Sequence, residues 1–258
     1  MTERTSADGE RDRWERLLST GAEAEFREFV LDHLDLDDEE TILSVGCGPG
    51  FETAALAERV GEDGHVIGVD VNEGVLAAAG NRCAEYPQVS FGQGDITNLP
   101  VADASVDYAI AKQVFYAVSD VEAALAELFR VVRPGGRVAV TATERRTHTK
   151  HTLTHRMARA DELYRSEMGD RGLGTRLVAL LPEAGFTVAD VVPRAKIKTE
   201  IDDQVEQGID VQRGLLEASD SFDDAAIEAW ERDLRELDEA GRFLSCTTSF
   251  LYLARKPE

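Results

Sequence analysis

Gly46, Gly48 and Gly50 occupy alternate positions after a run of strand-forming residues, Ile42, Leu43 and Val45, and before a helical pattern carried by Ala54, Ala55, Leu56, Ala57 and Val60. Strand, glycine turn and helix in that order suit a nucleotide-type ligand, because residues without a Cβ allow a tight turn and a close approach to the backbone. A dinucleotide turn would place glycine at the first, third and sixth positions, and the sixth here is Phe51. Two carboxylates follow at the ends of later apolar runs. Asp70 closes His65 to Asp70, where a carboxylate can accept from both hydroxyls of a ribose. Asp95 closes Val89 to Asp95 with Ile96 beside it, so one group can accept from an adenine amine while its neighbour packs on the ring face. A fourth run, Val106 to Ala111, ends at Lys112-Gln113-Val114. Each acid taken singly suits a solvated loop. Together, at successive strand ends, they describe one ligand site, because open parallel sheets bind at the carboxyl ends of their strands.

The intervening segments must deliver those strand ends. Asn72 can cap a helix carrying Val75, Leu76, Ala79 and Cys83. Val121, Ala124, Leu125, Leu128, Phe129 and Val132 predict the clearest helix, stopped by Pro134-Gly135-Gly136 before a fifth strand from Arg137 to Ala142. This alternation predicts an α/β fold with a parallel sheet and helices on both faces. Upstream, Trp14, Leu17, Leu18, Phe26, Phe29, Val30 and Leu34 suit two amphipathic helices, and residues 1–8 read as disordered, with no signal-peptide pattern. Downstream, residues 147–170 read as a helix around Met157, Leu163 and Met168. A helix over Leu173 to Ala184 and a strand from Phe186 to Ile197 follow. The acidic run 200–224 reads as a solvated helix with flexible ends. Ile227, Trp230, Leu234 and Leu237 predict a last helix, and Leu244 to Ala254 a last strand.

The segments Ile42 to Gly50, Gly68-Val-Asp-Val71, Gly92-Gln-Gly-Asp-Ile96, Leu99-Pro100 with Ser105-Val-Asp107, Leu128 to Arg137 and Leu181 to Phe186 together resemble the class I S-adenosylmethionine-dependent methyltransferases. The group it resembles includes the ubiquinone and menaquinone biosynthesis enzymes. The resemblance implies a Rossmann-like, seven-stranded, mostly parallel sheet with the last strand antiparallel, and S-adenosylmethionine as cofactor. It implies a cofactor-lining set of Ser44, Gly46, Cys47, Gly48, Gly50, Asp70, Val71, Asp95, Ile96, Lys112, Gln113 and Val114. Within that set the glycines face the methionine half, Asp70 the ribose and Asp95 the adenine amine. Val71 and Ile96 sandwich the ring, and residues 112–114 line the methyl-donating end. Ser44 departs from the group, which usually has Asp or Glu there to help hold the cofactor's ammonium; Glu52 is a possible substitute. A helical cap over 1–40, a cofactor-binding core over 41–145, a helical insertion over 146–172 and a sheet-completing part over 173–258 follow, with an acidic helical segment at 200–241. The acceptor is expected to be a small molecule, methylated by in-line transfer.

The formal charge of -22 disfavours nucleic acid and anionic membrane surfaces, and no apolar run reaches membrane-spanning length. The acidity suits either a functional acidic surface or a high-salt cytoplasm, and the even spread of acids, with lysine only at 112, 150, 196, 198 and 256, favours the second. Cys47, Cys83 and Cys246 lack disulfide or zinc spacing, which favours a reducing compartment and no metal. Relatives often carry histidines after strand four, where this chain has Phe115-Tyr116-Ala117. Tyr116, His148, His151 and His155 are the candidate bases, the three histidines being spaced to share one helix face. Arg145-Arg146 could meet an anionic acceptor or face solvent. Tyr108 and Lys112 have the spacing of a dehydrogenase pair but fall on a strand, where four steps separate them by ~13 Å. A cofactor-binding protein without transferase activity, and a nicotinamide-dependent oxidoreductase, are the competing functions. The oligomeric state is not legible.

Overall fold

The computed structural model describes residues 14–16, 18–169 and 173–258. The expectations for residues 1–8 and for Leu17 lie outside the described residues, as does the side chain of Met168. Seven strands form one sheet in the order β3-β2-β1-β4-β5-β7-β6. They are β1 Thr41–Val45, β2 His65–Asp70, β3 Val89–Gln93, β4 Val106–Ala111, β5 Val132–Lys150, β6 Thr187–Lys198 and β7 Ser245–Arg255. The pairings among β3, β2, β1, β4 and β5 are parallel. Strand β7 runs against β5: Lys256 N donates to Gly136 O near the start of β5, while Thr143 further along it meets Ser249. The chain leaves β1 towards β2 on one side and comes back to β4 on the other, so the strand order reverses between β1 and β4. Ligands of open α/β sheets bind at that reversal.

Two compact units emerge. The first comprises residues 1–141, 177–192 and 251–258, and the second 142–176 and 193–250. In the first, helices α1 Gly21–Leu31, α2 Phe51–Val60, α3 Glu73–Arg82, α4 Val121–Val131 and α6 Leu177–Glu183 accompany the sheet. Helix α4 forms because Ala124, Leu125, Leu128 and Val131 share one face. All four are at most 1% exposed, and each leucine so buried stabilises the fold by about 1.5–3 kcal/mol. Asp120 caps the helix by accepting from Ala123 N at 2.9 Å. Ile42 of β1 packs with Phe26, Leu31, Leu56 and Val60, so that face of β1 is covered by α1 and α2.

The second unit holds α5 His155–Gly169, α7 Asp203–Glu217 and α8 Asp224–Glu239 around a separate core of Met157, Ile209, Trp230 and Leu234. Two expectations are corrected here. Residues 147–150 continue β5, and the helix begins only at His155. The acidic run is not simply a solvated face: α7 buries Val205, Ile209, Gln212 and Leu216 on one side and keeps its acids on the other. The polar part of this core is Lys150, which donates to Gln212 Oε1. Gln212 Nε2 in turn donates to Ala160 O at 2.9 Å and to Asp161 at 3.2 Å.

Candidate cofactor site

The glycine turn is left-handed at Gly46 (φ 64°), Gly48 (φ 55°) and Gly50 (φ 85°). A Cβ on Gly46 would stand 2.4 Å from Val114 Cγ2, and one on Gly50 would stand 2.9 Å from Ala79 Cα. The first glycine therefore lets the segment after β4 close on the turn, and the last lets α3 pack beneath it. Gly48 meets nothing closer than Leu18 at 3.4 Å, so its requirement is conformational. Asp70 joins β2 to this turn: one carboxylate oxygen accepts from Gly48 N at 2.9 Å and the other from Asn72 N at 3.0 Å. Arg82 clamps the turn from α3, donating to Pro49 O at 2.7 Å and lying 3.5 Å over the Phe51 ring.

Asp95 is exposed and accepts from Thr97 N at 2.8 Å and Thr97 Oγ1 at 2.7 Å. Those bonds hold its carboxyl below the usual carboxylate range. Of the two apolar residues beside the acids, Val71 is 60% exposed and Ile96 only 6%, so Val71 offers the open apolar surface. Cys47 is buried, and burial, reinforced by the Asp70 charge, pushes its thiol far above the ordinary range. It is a packing residue rather than a nucleophile.

After β4, Gln113 adopts φ 55°, a left-handed conformation strained for a residue with a side chain. Its N–H donates to Thr141 Oγ1 at 2.8 Å, which fixes the turn and presents Val114 to Gly46. Lys112 points inward. Its Nζ lies 3.8 Å from both Glu23 Oε2 and Glu52 Oε2, and all three side chains are at most 9% exposed. Burial pushes the Glu52 carboxyl up, against the pull of Lys112 and Arg27. Tyr108 sits in the core beneath, its hydroxyl raised by burial to about 12. It lies within β4, with Lys112 just beyond the strand's end, and this excludes the helical arrangement that a dehydrogenase pair requires.

Of the candidate bases, Tyr116 belongs to the same unit as the glycine turn. It lies 57% exposed on the 3-10 turn Phe115–Ala117. The histidines do not share a helix face. His148 lies on β5, its Nδ1 2.9 Å from Thr247 Oγ1 and its ring 4.8 Å from that of Tyr164. The His151 ring bonds Arg242 O at 2.9 Å, and His155 starts α5. Among the described residues no three His, Cys, Asp or Glu gather as metal ligands would. Arg146 is also committed, donating from Nε to Glu144 at 2.8 Å and from Nη2 to Thr175 Oγ1 at 2.5 Å.

Sequence reasoning missed Glu23, Arg82 and Thr141. Glu23 carried a readable signal, because Glu23, Phe26 and Val30 share one buried helix face. The other two depend on contacts distant in sequence.

The site suits the S-adenosylmethionine that the motifs imply. The left-handed glycine turn lies at the carboxyl end of β1, where the strand order reverses. On β1 and the first turn of α2, the elements that flank this turn, Ser44 Oγ, Thr53 Oγ1 and Glu52 Oε2 are buried without a hydrogen-bond partner among the described residues. The profile described as Methyltransferase domain matches residues 36–223. An uncharacterised 37.1 kDa protein of transposon TN4556 from Streptomyces fradiae is 32% identical over 256 residues, covering 93% of this chain and 70% of that protein. The 2-phytyl-1,4-naphtoquinone methyltransferase of Thermosynechococcus vestitus is 36% identical over 129 residues, covering 50% of this chain and 57% of that enzyme. The chain spans little more than half the length of the quinone methyltransferases it matches. A Haemonchus contortus phosphoethanolamine N-methyltransferase, solved with S-adenosylhomocysteine and phosphomonomethylethanolamine, shares the fold. Its TM-score is 0.60 at 17% identity, over 98% of this chain and 58% of that one. With the strand reversal, the glycine turn and the family match in agreement, the chain belongs to the methyltransferase-domain family and is an S-adenosylmethionine-dependent methyltransferase of class I fold.

Proposed function

We propose that the chain methylates a small organic acceptor, quinol-type aromatic molecules being the first class to test. The observation that carries this reading is the junction of three strand ends: Asp70 bonded to the glycine turn, and Val114 closed against Gly46. In it Gly46, Gly48 and Gly50 take the methionine half of the cofactor and Asp70 the ribose. Asp95 takes the adenine amine, Val71 and Ile96 the ring, and Lys112 to Val114 border the methyl-donating end. When bound, S-adenosylmethionine would supply a sulfonium methyl that the acceptor's electron pair would take in line, the S–CH3 bond breaking to leave S-adenosylhomocysteine. The chain supplies position: holding reacting atoms in near-attack geometry is worth up to ~10 kcal/mol. A quinol hydroxyl is only weakly acidic and needs a hydrogen-bond acceptor as it reacts. Tyr116 is the candidate that shares the unit of the glycine turn.

The naphthoquinone relative supports this acceptor class. The charge of -22 argues against a phosphate-backbone acceptor. Incubation with methyl-labelled S-adenosylmethionine and panels of quinols, phenols and amines tests the reading. Label is expected in a quinol or phenol. Label only in amines would reassign the acceptor, and tight cofactor binding with no labelled product from any panel would favour a binding protein without transferase activity.

The same charge, with Cys47 and Cys83 buried and unpaired, fits work in a reducing, salt-rich cytoplasm. Raising potassium chloride from 0.1 M to about 2 M should raise the melting temperature by several degrees, because screening removes self-repulsion. A melting temperature indifferent to salt would refute this part of the reading.

A further inference from the structure

Beside the glycine turn lies a buried polar cluster that the roles above leave unexplained. Two carboxylates, Glu23 on α1 and Glu52 in the first turn of α2, flank one ammonium, Lys112, at 3.8 Å each. The charges of these three groups sum to minus one when all are ionised, and Arg27 adds a weaker attraction on Glu52. A buried net charge is costly unless a partner neutralises it. Two hydroxyls belong to the same region. Thr53 follows Glu52 and is fully buried. Ser44 is 1% exposed and lies on the face of β1 that Ile42 shares, the face covered by α1 and α2.

Neither hydroxyl oxygen has a hydrogen-bond partner among the described residues, and neither does Glu52 Oε2. Buried polar atoms are nearly always paired, so several such atoms in one place mark a missing donor. The complement is a small cation carrying several N–H groups. An ammonium has three donors and one positive charge.

We propose that Glu52, supported by Glu23, holds the ammonium of the cofactor's methionine half, the role that the family resemblance gives to an acid at the position of Ser44. The position is consistent with the covalent layout: Glu52 follows Gly50 closely, and Lys112 lies two residues before the Val114 that packs on Gly46. Burial raises the Glu52 carboxyl and Lys112 pulls it back; a bound ammonium would pull in the same direction as Lys112 and favour the ionised form. The inference rests on S-adenosylmethionine being the cofactor and adds which residues of this chain read its amino group.

Calorimetry with two ligands tests it. S-adenosylhomocysteine carries the amino acid; 5′-methylthioadenosine carries the same nucleoside and sulfur without it. Glu52→Gln should weaken S-adenosylhomocysteine about tenfold to a hundredfold and leave 5′-methylthioadenosine unchanged. Glu23→Gln should act in the same direction by less, which covers the case in which Glu52→Gln does not fold. Adding Ser44→Asp to Glu52→Gln should recover part of the lost affinity. Equal weakening of both ligands, or no weakening of S-adenosylhomocysteine, would overturn the assignment. If the unaltered protein bound neither ligand, the cofactor assignment itself would fall and this proposal with it.

Discussion

Asp70→Ala should lower the affinity for S-adenosylhomocysteine by about two orders of magnitude or more, the largest effect expected of any single change at the site. A carboxylate has roughly four lone-pair sites. Two of those on Asp70 are occupied by Gly48 N and Asn72 N. The remaining sites are enough to accept from two ribose hydroxyls, so in the proposed site one side chain would both shape the turn and read the ligand. Each hydrogen bond to a charged acceptor contributes about 1.5–3 kcal/mol, and losing two corresponds to roughly two to four decades in affinity. Alanine also frees the Gly48 and Asn72 N–H groups, which would loosen the turn proposed to meet the methionine half. Asp70→Asn should fall between, because one carbonyl oxygen remains while the amide's N–H groups oppose a backbone donor. Binding of 5′-methylthioadenosine should fall with that of S-adenosylhomocysteine, since both carry the ribose. Calorimetry showing unchanged affinity in a folded Asp70→Ala protein would refute the ribose assignment.

What could be read in advance, and what could not, follows from how local each signal is. The glycine turn, Asp70 and the helix of Val121 to Val131 declare themselves within a few residues: a left-handed turn demands glycine, and a helix face repeats every three or four positions. The extension of β5 to Lys150 was also present as a pattern. Thr141, Thr143, Thr147 and Thr149 alternate, and β-branched residues at period two favour a strand over a helix. The polar character of the stretch concealed it. The buried stripe of α7 hid in the same way, its four inward residues scattered among acids. Arg82 and Thr141 could not be read at all, nor could the meeting of Lys112 with Glu23 and Glu52. Their roles arise when β4 is laid beside β1 and α1 is brought over both, and nothing near them in sequence encodes that pairing. Ser44 was legible as a departure, with Glu52 as its substitute; that Glu23 joins Glu52 needed the positions of both.

Below pH 6.5 the second unit should lose stability, and His148 should be the main cause in the upper part of that range. The ring is held between Thr247 and Tyr164, with Lys150, Arg145 and Arg165 as the surrounding cations. Burial first, and those cations second, lower its pKa to about 3 from an ordinary 6.5. Between those values the unfolded chain binds a proton that the native chain refuses. Unfolding free energy therefore falls as pH falls, by up to about 1.4 kcal/mol per pH unit. Glu144 adds to the loss further down. Arg146 and Thr175 hold its carboxyl at about 2 against an ordinary 4.5, so the stability it contributes is complete above 4.5 and disappears as pH drops towards 2. Asp161 works the other way, since burial raises its pKa and the native state takes up its proton first. A variant that removes only the imidazole separates these contributions. In His148→Gln, urea unfolding between pH 7.5 and 5 should show a much flatter dependence on pH than in the unaltered protein, because Glu144 and Asp161 are unchanged. Equal slopes would show that His148 titrates freely in the folded chain. The same environment bears on catalysis. An imidazole held at about 3 is unprotonated at neutral pH but too weak a base to draw a proton from a quinol, so the pH profile of methyl transfer should not follow His148, whereas the pH profile of unfolding should.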